Sequence, residues 1–463
     1  MRVIIAEKLY VEDATQECFE WCRQNLVLSN PDYYQKQKMG KWTGNTPKEI
    51  SLYEKMGDHV WLPFGCYAQF FRRFPNTPYK AVFGSVRHFD YKSGINLYDY
   101  QEKAVQAILE RKNGVVIAPC GGGKTVLGLE AVARIGGRAL WLTHTQDLLN
   151  QSMNKAKSLF GAPLDSYGMI TAGKVNVGSG ITFATIQTLC NVDLKEYEDF
   201  WDVIVTDEAH HAAGSPTRVT QFYKVLSNLR ARYKIGLTAT PKRADGLERS
   251  MFAMLGEKVI EITRKDVADT TCEVRVLTMH TEYKPNYNVV LMSDGTIDYS
   301  KLVDDMIQDE ERFEMVSKVV NAVDGPTIVL ANRVEYLKRL TESCSLKSIC
   351  LSGMGQSKKI KEERKLALEK LNNGELDVVF ASYQLAKEGL DVPNLRYVIF
   401  STPEKDEGTV IQAAGRVGRK AEGKEYGTVI DFLDDWGMFR AWAKKRQGYY
   451  KKIQEDVKIE EVW

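Results

Sequence analysis

The sequence predicts an α/β fold, in which two tandem doubly wound parallel-sheet domains follow a small N-terminal α/β module. A chain of 463 residues is long enough for two or three domains. From about residue 96 onward, short apolar runs alternate with helical patterns, and after about residue 300 the alternation begins again. Residues 1–93 do not share this alternation, because they are rich in aromatic side chains and in loop signals such as Asn30-Pro31.

Continuously apolar runs in both repeats predict buried parallel strands, because such strands are covered on both faces. The first repeat has these runs at Val115–Ala118, Ala139–Thr143, Val203–Thr206 and Ile235–Thr238. The second has them at Thr327–Ala331, Ile349–Leu351, Val378–Ala381, Val398–Ser401 and Thr428–Phe432. We therefore expect an N-terminal module at 1–93, a first sheet domain at 94–262 and a second at 263–463, in which 263–300 connects the lobes.

Composition is that of a soluble globular protein, with 44% hydrophobic and 27% charged residues. We expect no membrane association and a cytoplasmic location, because no apolar run could span a bilayer and the start lacks a secretory signal. The eight cysteines are scattered, without zinc-site spacing, which favours free thiols. A net charge of +2 does not by itself indicate a polyanionic partner. Basic clusters such as Arg230/Arg232/Lys234 are expected to be solvated surface unless a motif places them beside nucleic acid.

A glycine-rich loop, V-V-I-A-P-C-G-G-G-K-T, follows one predicted strand and precedes a helical pattern over Thr125–Arg134. In that order, backbone N–H groups and a helix N-terminus surround an anion, the lysine reaches the β- and γ-phosphates, and the threonine hydroxyl binds Mg²⁺. Ala118 stands where such a loop normally begins with glycine, and it is tolerated there if its φ is negative. The alternative is a glycine-rich turn with an incidental Lys-Thr pair. The candidate nucleotide ligands are Cys120, Gly121, Gly122, Gly123, Lys124 and Thr125.

The apolar run Val203–Thr206 ends in two carboxylates, Asp207 and Glu208. A strand end beside a phosphate loop is where a nucleotide-hydrolysing enzyme holds its metal. Neighbouring side chains of an extended chain point to different sides, so they can take different roles. We expect Asp207 to hold Mg²⁺ and Glu208 to orient and deprotonate the attacking water. Taken alone, the pair could simply end a strand.

The phosphate loop and the D-E-A-H sequence at 207–210 resemble the superfamily 2 helicases and translocases, whose other motifs follow in order between about residues 96 and 435. The resemblance implies two RecA-like domains that hydrolyse ATP with Mg²⁺ and couple hydrolysis to movement on nucleic acid. The matching segments are L-Y-D-Y-Q at 97–101, W-L-T-H-T at 141–145, A-T-I-Q-T at 184–188, L-T-A-T at 237–240, V-L-A-N-R at 329–333, L-S-G at 351–353, E-G-L-D at 388–391 and Q-A-A-G-R-V-G-R at 412–419.

The resemblance also implies a role for single residues. Arg416 and Arg419 would reach ATP from the second lobe when the lobes close, and arginine suits this because its planar, permanently charged fork grips phosphate oxygens. The alternative is that both line an exposed helix. Besides these, the family pattern implies adenine recognition by Gln101, nucleotide contacts at Gly389 and Asp391, a catalytic Gln412, and coupling through His210, Thr238 and Thr240. His211 has no role in that pattern and is expected to be structural.

Contacts to nucleic acid are implied at strand ends of both lobes, through hydroxyl and N–H groups that bind phosphates without reading sequence. The segment T-P-K-R-A-D-G after L-T-A-T resembles the XPB-like branch of the superfamily, which acts mainly on DNA. The implied contacts are Thr143, His144, Thr185, Arg243, Asn332, Arg333, Ser352 and Ser382.

Aromatic and glycine landmarks in residues 1–93, such as M-G-K-W-T-G at 39–44 and L-P-F-G at 62–65, resemble the duplex-binding front module of phage branch-migration helicases of the UvsW type. We therefore expect phosphate contacts from Arg72, Arg73, Lys36, Lys38 and Lys41. One of the aromatic side chains Tyr33, Tyr34, Trp42 or Phe71 is expected to pack against an opened base. An equally weighted alternative is a small core with ordinary surface charges. The likeness suggests a phage origin, with the host cytoplasm as the location.

These observations predict an ATP-dependent DNA helicase, monomeric on DNA, that remodels branched DNA by moving junctions, reversing forks and displacing strands from D-loops or R-loops. Branched or duplex DNA and single-stranded DNA are the expected partners. Two alternatives stay open. One is a duplex translocase or RNA-remodelling helicase with the same ATPase, and the other is a nucleotide-gated binding protein that hydrolyses nothing.

Overall fold

The computed structural model describes residues 1–119, 121–213, 215–239, 246–268, 271–292, 295–351, 358–387, 392–454 and 457–462. The chain forms two compact units. The first comprises residues 1–119 and 123–263, and the second comprises 264–463, with Gly121 and Gly122 grouped with it. Both units are α/β, and the predicted strands are confirmed with ends that shift by at most two residues.

The N-terminal part of the first unit contains a mixed five-stranded sheet, in the order β5-β6-β2-β1-β7, and a separate antiparallel pair, β3-β4. Its strands are β1 (Arg2–Ile5), β2 (Lys8–Glu12), β3 (Val27–Ser29), β4 (Glu49–Ser51), β5 (Glu54–Met56), β6 (His59–Pro63) and β7 (Tyr79–Ala81). Its helices are α1 (Gln16–Leu26), α2 (Pro31–Lys38) and α3 (Tyr67–Arg73).

The rest of the first unit is built on an eight-stranded sheet, in the order β11-β10-β12-β9-β13-β14-β8-β15, in which only the β10-β11 pair is antiparallel. Its strands are β8 (Asn113–Ile117), β9 (Ala139–Thr143), β10 (Tyr167–Thr171), β11 (Lys174–Asn176), β12 (Ile181–Thr185), β13 (Val203–Thr206), β14 (Tyr233–Thr238) and β15 (Lys258–Glu261). Its helices are α4 (Asp99–Arg111), α5 (Lys124–Ile135), α6 (Gln146–Leu159), α7 (Ile186–Leu189), α8 (Pro216–Leu226) and α9 (Glu248–Leu255).

The second unit contains a parallel seven-stranded sheet, in the order β18-β19-β17-β20-β21-β16-β22. Its strands are β16 (Glu273–Thr281), β17 (Thr327–Ala331), β18 (Ser348–Leu351), β19 (Val378–Ser382), β20 (Tyr397–Phe400), β21 (Tyr426–Asp434) and β22 (Lys458–Val462). Its helices are α10 (Tyr287–Val290), α11 (Tyr299–Gln308), α12 (Glu310–Asn321), α13 (Val334–Glu342), α14 (Lys358–Asn372), α15 (Tyr383–Lys387), α16 (Glu407–Val417) and α17 (Gly437–Ile453).

One difference from the sequence interpretation lies in residues 263–300, which we expected to connect the lobes. Part of this stretch is β16, which pairs along its whole length with β21 and therefore belongs to the second sheet. Polar residues interrupt its sequence, and alternate side chains are buried from Glu273 to Thr278, so it lacks the continuously apolar run of the other strands.

The N-terminal module is not separated from the first sheet domain by a solvated boundary. Buried side chains of both parts form one hydrophobic cluster, which joins Val3, Leu62 and Phe70 to Phe222 and Leu255. The two backbones also meet directly, because a Cβ atom at Gly65 would overlap the main chain of Gly256 and Ala253. Close packing of this kind makes the module and the domain one body.

Lys234, on β14, corrects our expectation of a solvated basic cluster. Its side chain is completely buried, and its Nζ donates hydrogen bonds to the carbonyl oxygens of Leu226 at 2.7 Å and of Glu7 at 3.2 Å. The Nζ also lies 4.8 Å from the centre of the Phe64 ring. Burial lowers the pKa of Lys234 to about 7, and the negative charge of Glu7 offsets this only partly.

Two buried ion pairs hold helices against β21 in the second unit. Arg312 on α12 donates from Nε to Asp434 Oδ1 at 2.5 Å, and Arg446 on α17 donates from Nε to Asp431 Oδ2 at 2.8 Å. The Tyr450 hydroxyl adds a 2.9 Å hydrogen bond to the second pair. Since every one of these charges is buried and paired, removing one partner would leave the other uncompensated.

A search of the described helices for a segment that is long and apolar enough to cross a bilayer found none.

Candidate nucleotide-binding and coupling site

The glycine-rich loop connects β8, which ends at Ile117, to α5, which begins at Lys124. Gly121 and Gly123 have φ values of +86° and +68°, a left-handed conformation that glycine adopts without strain. Ala118 has a negative φ, which confirms the condition under which alanine is tolerated at the first loop position. Its N–H donates to the Thr238 carbonyl at 2.9 Å, so the loop starts from a sheet-bound residue.

Gln101 lies directly against the loop. It is buried in the first turn of α4, where its Oε1 accepts a hydrogen bond from the Tyr98 N–H at 3.1 Å. A Cβ atom at Gly123 would overlap the Gln101 amide nitrogen. The left-handed conformation therefore favours glycine at 123, and the absence of a side chain there leaves room for the Gln101 amide beside the loop.

Asp207 and Glu208 follow the end of β13, at the same edge of the sheet as the loop. Asp207 Oδ1 accepts the Glu208 N–H at 2.9 Å, and Asp207 Oδ2 accepts the Ser152 hydroxyl at 3.3 Å. Lys124 Nζ lies 3.6 Å from Glu208 Oε1. The strand end thus brings both predicted carboxylates and the loop lysine together, as expected from the sequence.

Burial, together with the neighbouring charge of Glu208, raises the pKa of Asp207 to about 6. The Lys124 charge, the Glu208 N–H and the Ser152 hydroxyl act in the opposite direction. A buried carboxyl group whose pKa is raised in this way is typical of a functional site.

Glu208 has a φ of +46°, which is unusual for a residue with a side chain. Its Oε2 is buried and accepts no hydrogen bond from the described residues, although His210 Nδ1 lies 3.5 Å away. Strain and an unsatisfied carboxylate oxygen at one residue are typical of a functional site.

Together these groups fit a nucleoside triphosphate with one divalent cation. The glycines and the lysine of the loop can bind an anion. Glu208 Oε2 accepts no hydrogen bond from the described residues, and a bound water could donate one to it. Within the described ranges, no group of three or more His, Cys, Asp or Glu side chains is arranged to hold a metal alone. The neighbouring carboxylates of Asp207 and Glu208 suit Mg²⁺, which commonly uses one or two carboxylates together with phosphates and water.

Three histidine rings, those of His210, His211 and His144, contact one another in series beside Glu208. His210 Nδ1 lies 3.0 Å from the Thr238 hydroxyl, which joins two predicted coupling residues. The His210 ring lies 4.1 Å from that of His211, and the His211 ring stacks on His144 with centroids 3.4 Å apart. The His144 carbonyl accepts a 2.7 Å hydrogen bond from Gln187 Nε2. The contact between His211 and His144 was not expected from the sequence, because 66 residues lie between them.

Thr143 and Thr185 pair side by side at the ends of β9 and β12, so the structure brings two predicted nucleic-acid contacts to one edge. Both side chains are buried. The Thr143 hydroxyl donates to the Thr145 carbonyl at 2.9 Å, and the Thr185 hydroxyl bonds that of Thr188 at 3.1 Å. Their hydroxyls serve the fold here, and their contact with phosphate stays a prediction.

In the second unit, Gln412 and Arg416 lie one turn apart on α16 and are half-buried, with Ala413 and Ala414 facing the core. Arg419 follows the helix, and its carbonyl accepts hydrogen bonds from Lys424 Nζ at 2.9 Å and from Cys272 Sγ at 3.5 Å. The backbone that carries the two predicted arginine fingers is therefore anchored within its own lobe.

Asn332 and Arg333 follow β17. The Asn332 amide donates to the Pro403 carbonyl at 3.1 Å, and Arg333 Nε donates to Asp304 Oδ1 at 2.6 Å. The Ser382 hydroxyl accepts a 3.4 Å hydrogen bond from the Leu385 N–H at the start of α15. These side chains already have partners in the fold, so a role on nucleic acid requires exchange of those partners.

In the N-terminal module, Arg72 pairs with Glu257 of the sheet domain and Arg73 pairs with Glu17. Both arginine side chains remain more than half exposed. Trp42 is 84% exposed. The predicted residues Cys120, Thr240, Arg243, Ser352, Gly389 and Asp391 lie outside the described residues.

Two family models match the chain. The first, described as the res subunit of type III restriction enzymes, matches residues 94–243. The second, described as the helicase conserved C-terminal domain, matches residues 311–421. Together they cover more than half of the chain and contain the loop, the D-E-A-H sequence and both arginines of the last motif.

Curated relatives include helicases of cells and viruses. The DNA 3'-5' translocase XPB2 of Sulfurisphaera tokodaii is 25% identical over 370 residues, which cover 72% of this chain and 80% of the relative. D10 of Escherichia phage T5, named a probable helicase, is 24% identical over 334 residues, which cover 72% of this chain and 70% of the relative. The DNA 3'-5' helicase XPB of Mycobacterium tuberculosis is 24% identical over 75% of this chain and 60% of its own length.

Two solved structures with TM-scores above 0.5 share the fold. The type ISP restriction-modification enzyme LlaBIII bound to DNA is 16% identical, covers 86% of this chain and 34% of its own, and has a TM-score of 0.57. Dbp5 of S. cerevisiae, bound to RNA and ADP BeF3, is 18% identical, covers 86% and 92%, and has a TM-score of 0.55. T4 UvsW aligns over 100% of this chain and 99% of its own with 17% identity and a TM-score of 0.42.

The matches to both helicase lobes and the XPB-type relatives agree with the ordered motifs and with the nucleotide site around Lys124 and Asp207. The chain belongs to the superfamily 2 helicases and is similar to those of the XPB type, and it is an ATP-dependent helicase with two RecA-like domains.

Proposed function

We propose that this helicase uses ATP and Mg²⁺ to remodel branched DNA in recombination, repair and replication, by migrating four-way junctions, reversing forks and displacing strands from D-loops and R-loops. The observation that carries the proposal is the continuous core between residues 1–93 and the first RecA-like domain. A DNA-binding module that is packed into a motor lobe moves with that lobe, so each stroke acts on the DNA that the module holds.

Residues of the first lobe would prepare the hydrolysis. Bound Mg²⁺-ATP supplies the phosphoanhydride that is cleaved and a cation that neutralises charge on its oxygens. Lys124 Nζ would donate to the β- and γ-phosphate oxygens, and Asp207 would hold the cation together with the Thr125 hydroxyl. Glu208 would accept a proton from the attacking water at Oε2, the oxygen that has no hydrogen-bond donor among the described residues.

The remaining site residues would recognise ATP and complete the catalytic charge. Gln101 would recognise adenine beside Gly123. Arg416 and Arg419 would supply positive charge to the transferred phosphoryl group, and Gln412 would contribute from the same helix face as Arg416. His210 and Thr238 would pass the state of the nucleotide to the rest of the lobe through their 3.0 Å contact.

Branch movement suits a compact motor on energetic grounds. Plain unwinding loses stacking of about 1.4 kcal/mol for each base-pair step. Moving a four-way junction re-forms one pair for each pair that it opens, so the exchange is nearly balanced. The motor then needs only to bias the direction of that exchange.

A panel of labelled substrates tests the proposal. The full chain would be given ATP and either four-way junctions, forks, R-loops, linear duplex, single strands or structured RNA, with the Lys124→Ala variant as the control without hydrolysis. We expect the fastest remodelling and the strongest ATPase stimulation on junctions and forks. Stronger stimulation by RNA would refute the proposal, and absence of phosphate release on every nucleic acid would favour a nucleotide-gated binding protein.

Translocation along duplex DNA is the second candidate, and the name of the Sulfurisphaera relative, a DNA 3'-5' translocase, favours it. Displacement of a triplex-forming strand from linear duplex, without conversion of junctions, would select this alternative.

A further inference from the structure

Residues 30–48 form a projecting loop, which we name the basic loop. The antiparallel pair β3-β4 carries it, with Ser29 paired to Glu49 at its base. Asn30 closes the base, because its N–H donates to the Lys48 carbonyl at 3.0 Å and its Nδ2 donates to the Pro47 carbonyl at 2.7 Å. Asn30 is buried, and its side-chain oxygen also caps α2.

The interior of the basic loop is braced by hydrogen bonds. Lys36 Nζ donates to the Thr46 hydroxyl at 2.6 Å, and the Lys41 N–H donates to the Lys36 carbonyl at 2.9 Å. The Thr46 N–H donates to the Thr43 carbonyl at 2.8 Å. These bonds tie α2 to the returning strand, so the residues between them are held in place before any ligand arrives.

Trp42 stands at the tip of the basic loop, and it has the most exposed large apolar side chain in the described part of the protein. One face of its ring lies against Gly44, where a Cβ atom would overlap the six-membered ring. Gly44 has a φ of +38°, so its conformation also favours glycine. The indole is thus supported on one face and open to solvent on the other.

The surroundings of Trp42 are cationic. The basic loop has four lysines, at 36, 38, 41 and 48, and one acidic residue, Asp32. Lys38, Lys41 and Lys48 are exposed. An aromatic face among cations matches a nucleobase with its flanking phosphates better than it matches a protein surface, whose interfaces need a broad apolar patch.

We propose that the basic loop is the strand-separating element of this helicase: Trp42 stacks on the base exposed where two strands part, while Lys38 and Lys41 bind the neighbouring phosphates. Stacking on the indole compensates the opened base for the stacking that it loses in the duplex. The proposal rests on the proposed action on branched DNA, because it places the loop at the branch point.

The test uses the full chain and a fork with 2-aminopurine at the first unpaired position, in three variants: Trp42→Ala, Trp42→Phe and the double variant Lys38→Glu/Lys41→Glu. Met56→Ala is the matched control, since Met56 is an exposed apolar residue of the same module outside the loop. Thermal unfolding of each variant confirms that it folds. The readouts are 2-aminopurine fluorescence on binding and the rate of ATP-driven fork unwinding.

We expect Trp42→Ala to lose the fluorescence change and to slow unwinding at least tenfold, Trp42→Phe to retain a substantial part of both, and Met56→Ala to stay within twofold of the wild type. The double lysine variant should bind less tightly and reduce the slope of log affinity against log salt by about 2. Wild-type fluorescence and unwinding in Trp42→Ala would overturn the proposal, even if the wild type remodels forks. If the wild type opens no branched substrate, the proposed function fails instead.

Discussion

The imidazole rings of His144 and His211 stack with centroids 3.4 Å apart and planes inclined by 28°. His144 follows β9 in a segment that the family pattern assigns to nucleic acid, and His211 follows the D-E-A-H sequence. The stack therefore joins the residue that follows the D-E-A-H sequence to the predicted nucleic-acid segment within the first lobe.

His211→Ala should weaken this connection. An aromatic pair contributes about 0.5–1.5 kcal/mol, so we expect the ratio of DNA-stimulated to unstimulated ATP turnover to fall about two- to tenfold. Steady-state phosphate release with and without single-stranded DNA measures the ratio. His59→Ala, at an exposed histidine of the N-terminal module, is the control. An unchanged ratio would show that the stack is only structural.

Glu208→Gln should preserve the shape of the site and remove its proton acceptor. We expect ATP turnover to fall by a factor on the order of 10²–10⁴, as for loss of a general base, while ATP and DNA remain bound together. Phosphate release and co-retention of labelled ATP and DNA measure the two properties. Glu196→Gln, at an exposed surface position, should behave as the wild type. Near-normal turnover in Glu208→Gln would assign the base to another residue.

Arg419→Ala should remove a guanidinium group whose positive charge is proposed to stabilise the transferred phosphoryl group. Arginine fingers in related reactions contribute on the order of 10³–10⁵ in turnover, so we expect a large loss of turnover with measurable nucleotide binding. A fluorescent ATP analogue reports binding, and phosphate release reports turnover. Lys420→Ala at the exposed neighbour is the control. Turnover equal to that of the control would contradict the finger assignment.

The buried Lys234 should make stability depend on pH. Its pKa is about 7 in the folded chain and about 10.5 when unfolded, so between these values the unfolded chain binds more protons and stability rises with pH. The contribution approaches about 1.4 kcal/mol per pH unit within that window. Denaturant unfolding from pH 7 to 9.5, below the ordinary titration of tyrosine, should show this rise in the wild type and a weaker one in Lys234→Met. Equal slopes would mean that Lys234 is not the responsible group.

Arg446→Ala should destabilise the second unit by about 3–5 kcal/mol, because it leaves Asp431 buried without its partner. Chemical denaturation, monitored by tryptophan fluorescence, measures the decrease in the free energy of unfolding. Arg440→Ala removes an exposed arginine from the same helix, paired with Asp435, and should cost less than about 1 kcal/mol. Similar decreases in the two variants would show that the buried ion pair contributes no more to stability than the exposed one.

The parts of the fold and site that were predictable from the sequence are those whose signal is local. Continuous apolar runs identified nine of the parallel strands but not β10, β12, β15, β16 or β22. Asp207 directly follows one such run, and the loop that carries Lys124 follows another. β16 was missed because only alternate residues are buried. Lys234 was interpreted as surface because its neighbours Arg230 and Arg232 are polar, whereas the fold places it beneath the N-terminal module. Contacts between distant segments leave no local pattern, and the stack of His144 on His211 is one of them.

The close approach of Gly65 to Gly256 limits how this enzyme can be engineered. A version trimmed to the ATPase lobes would uncover the aliphatic and aromatic side chains that now lie beneath residues 1–83, among them Phe222 and Leu255. Such a surface promotes aggregation, so a minimal motor would need polar replacements there before its catalytic constants could be interpreted.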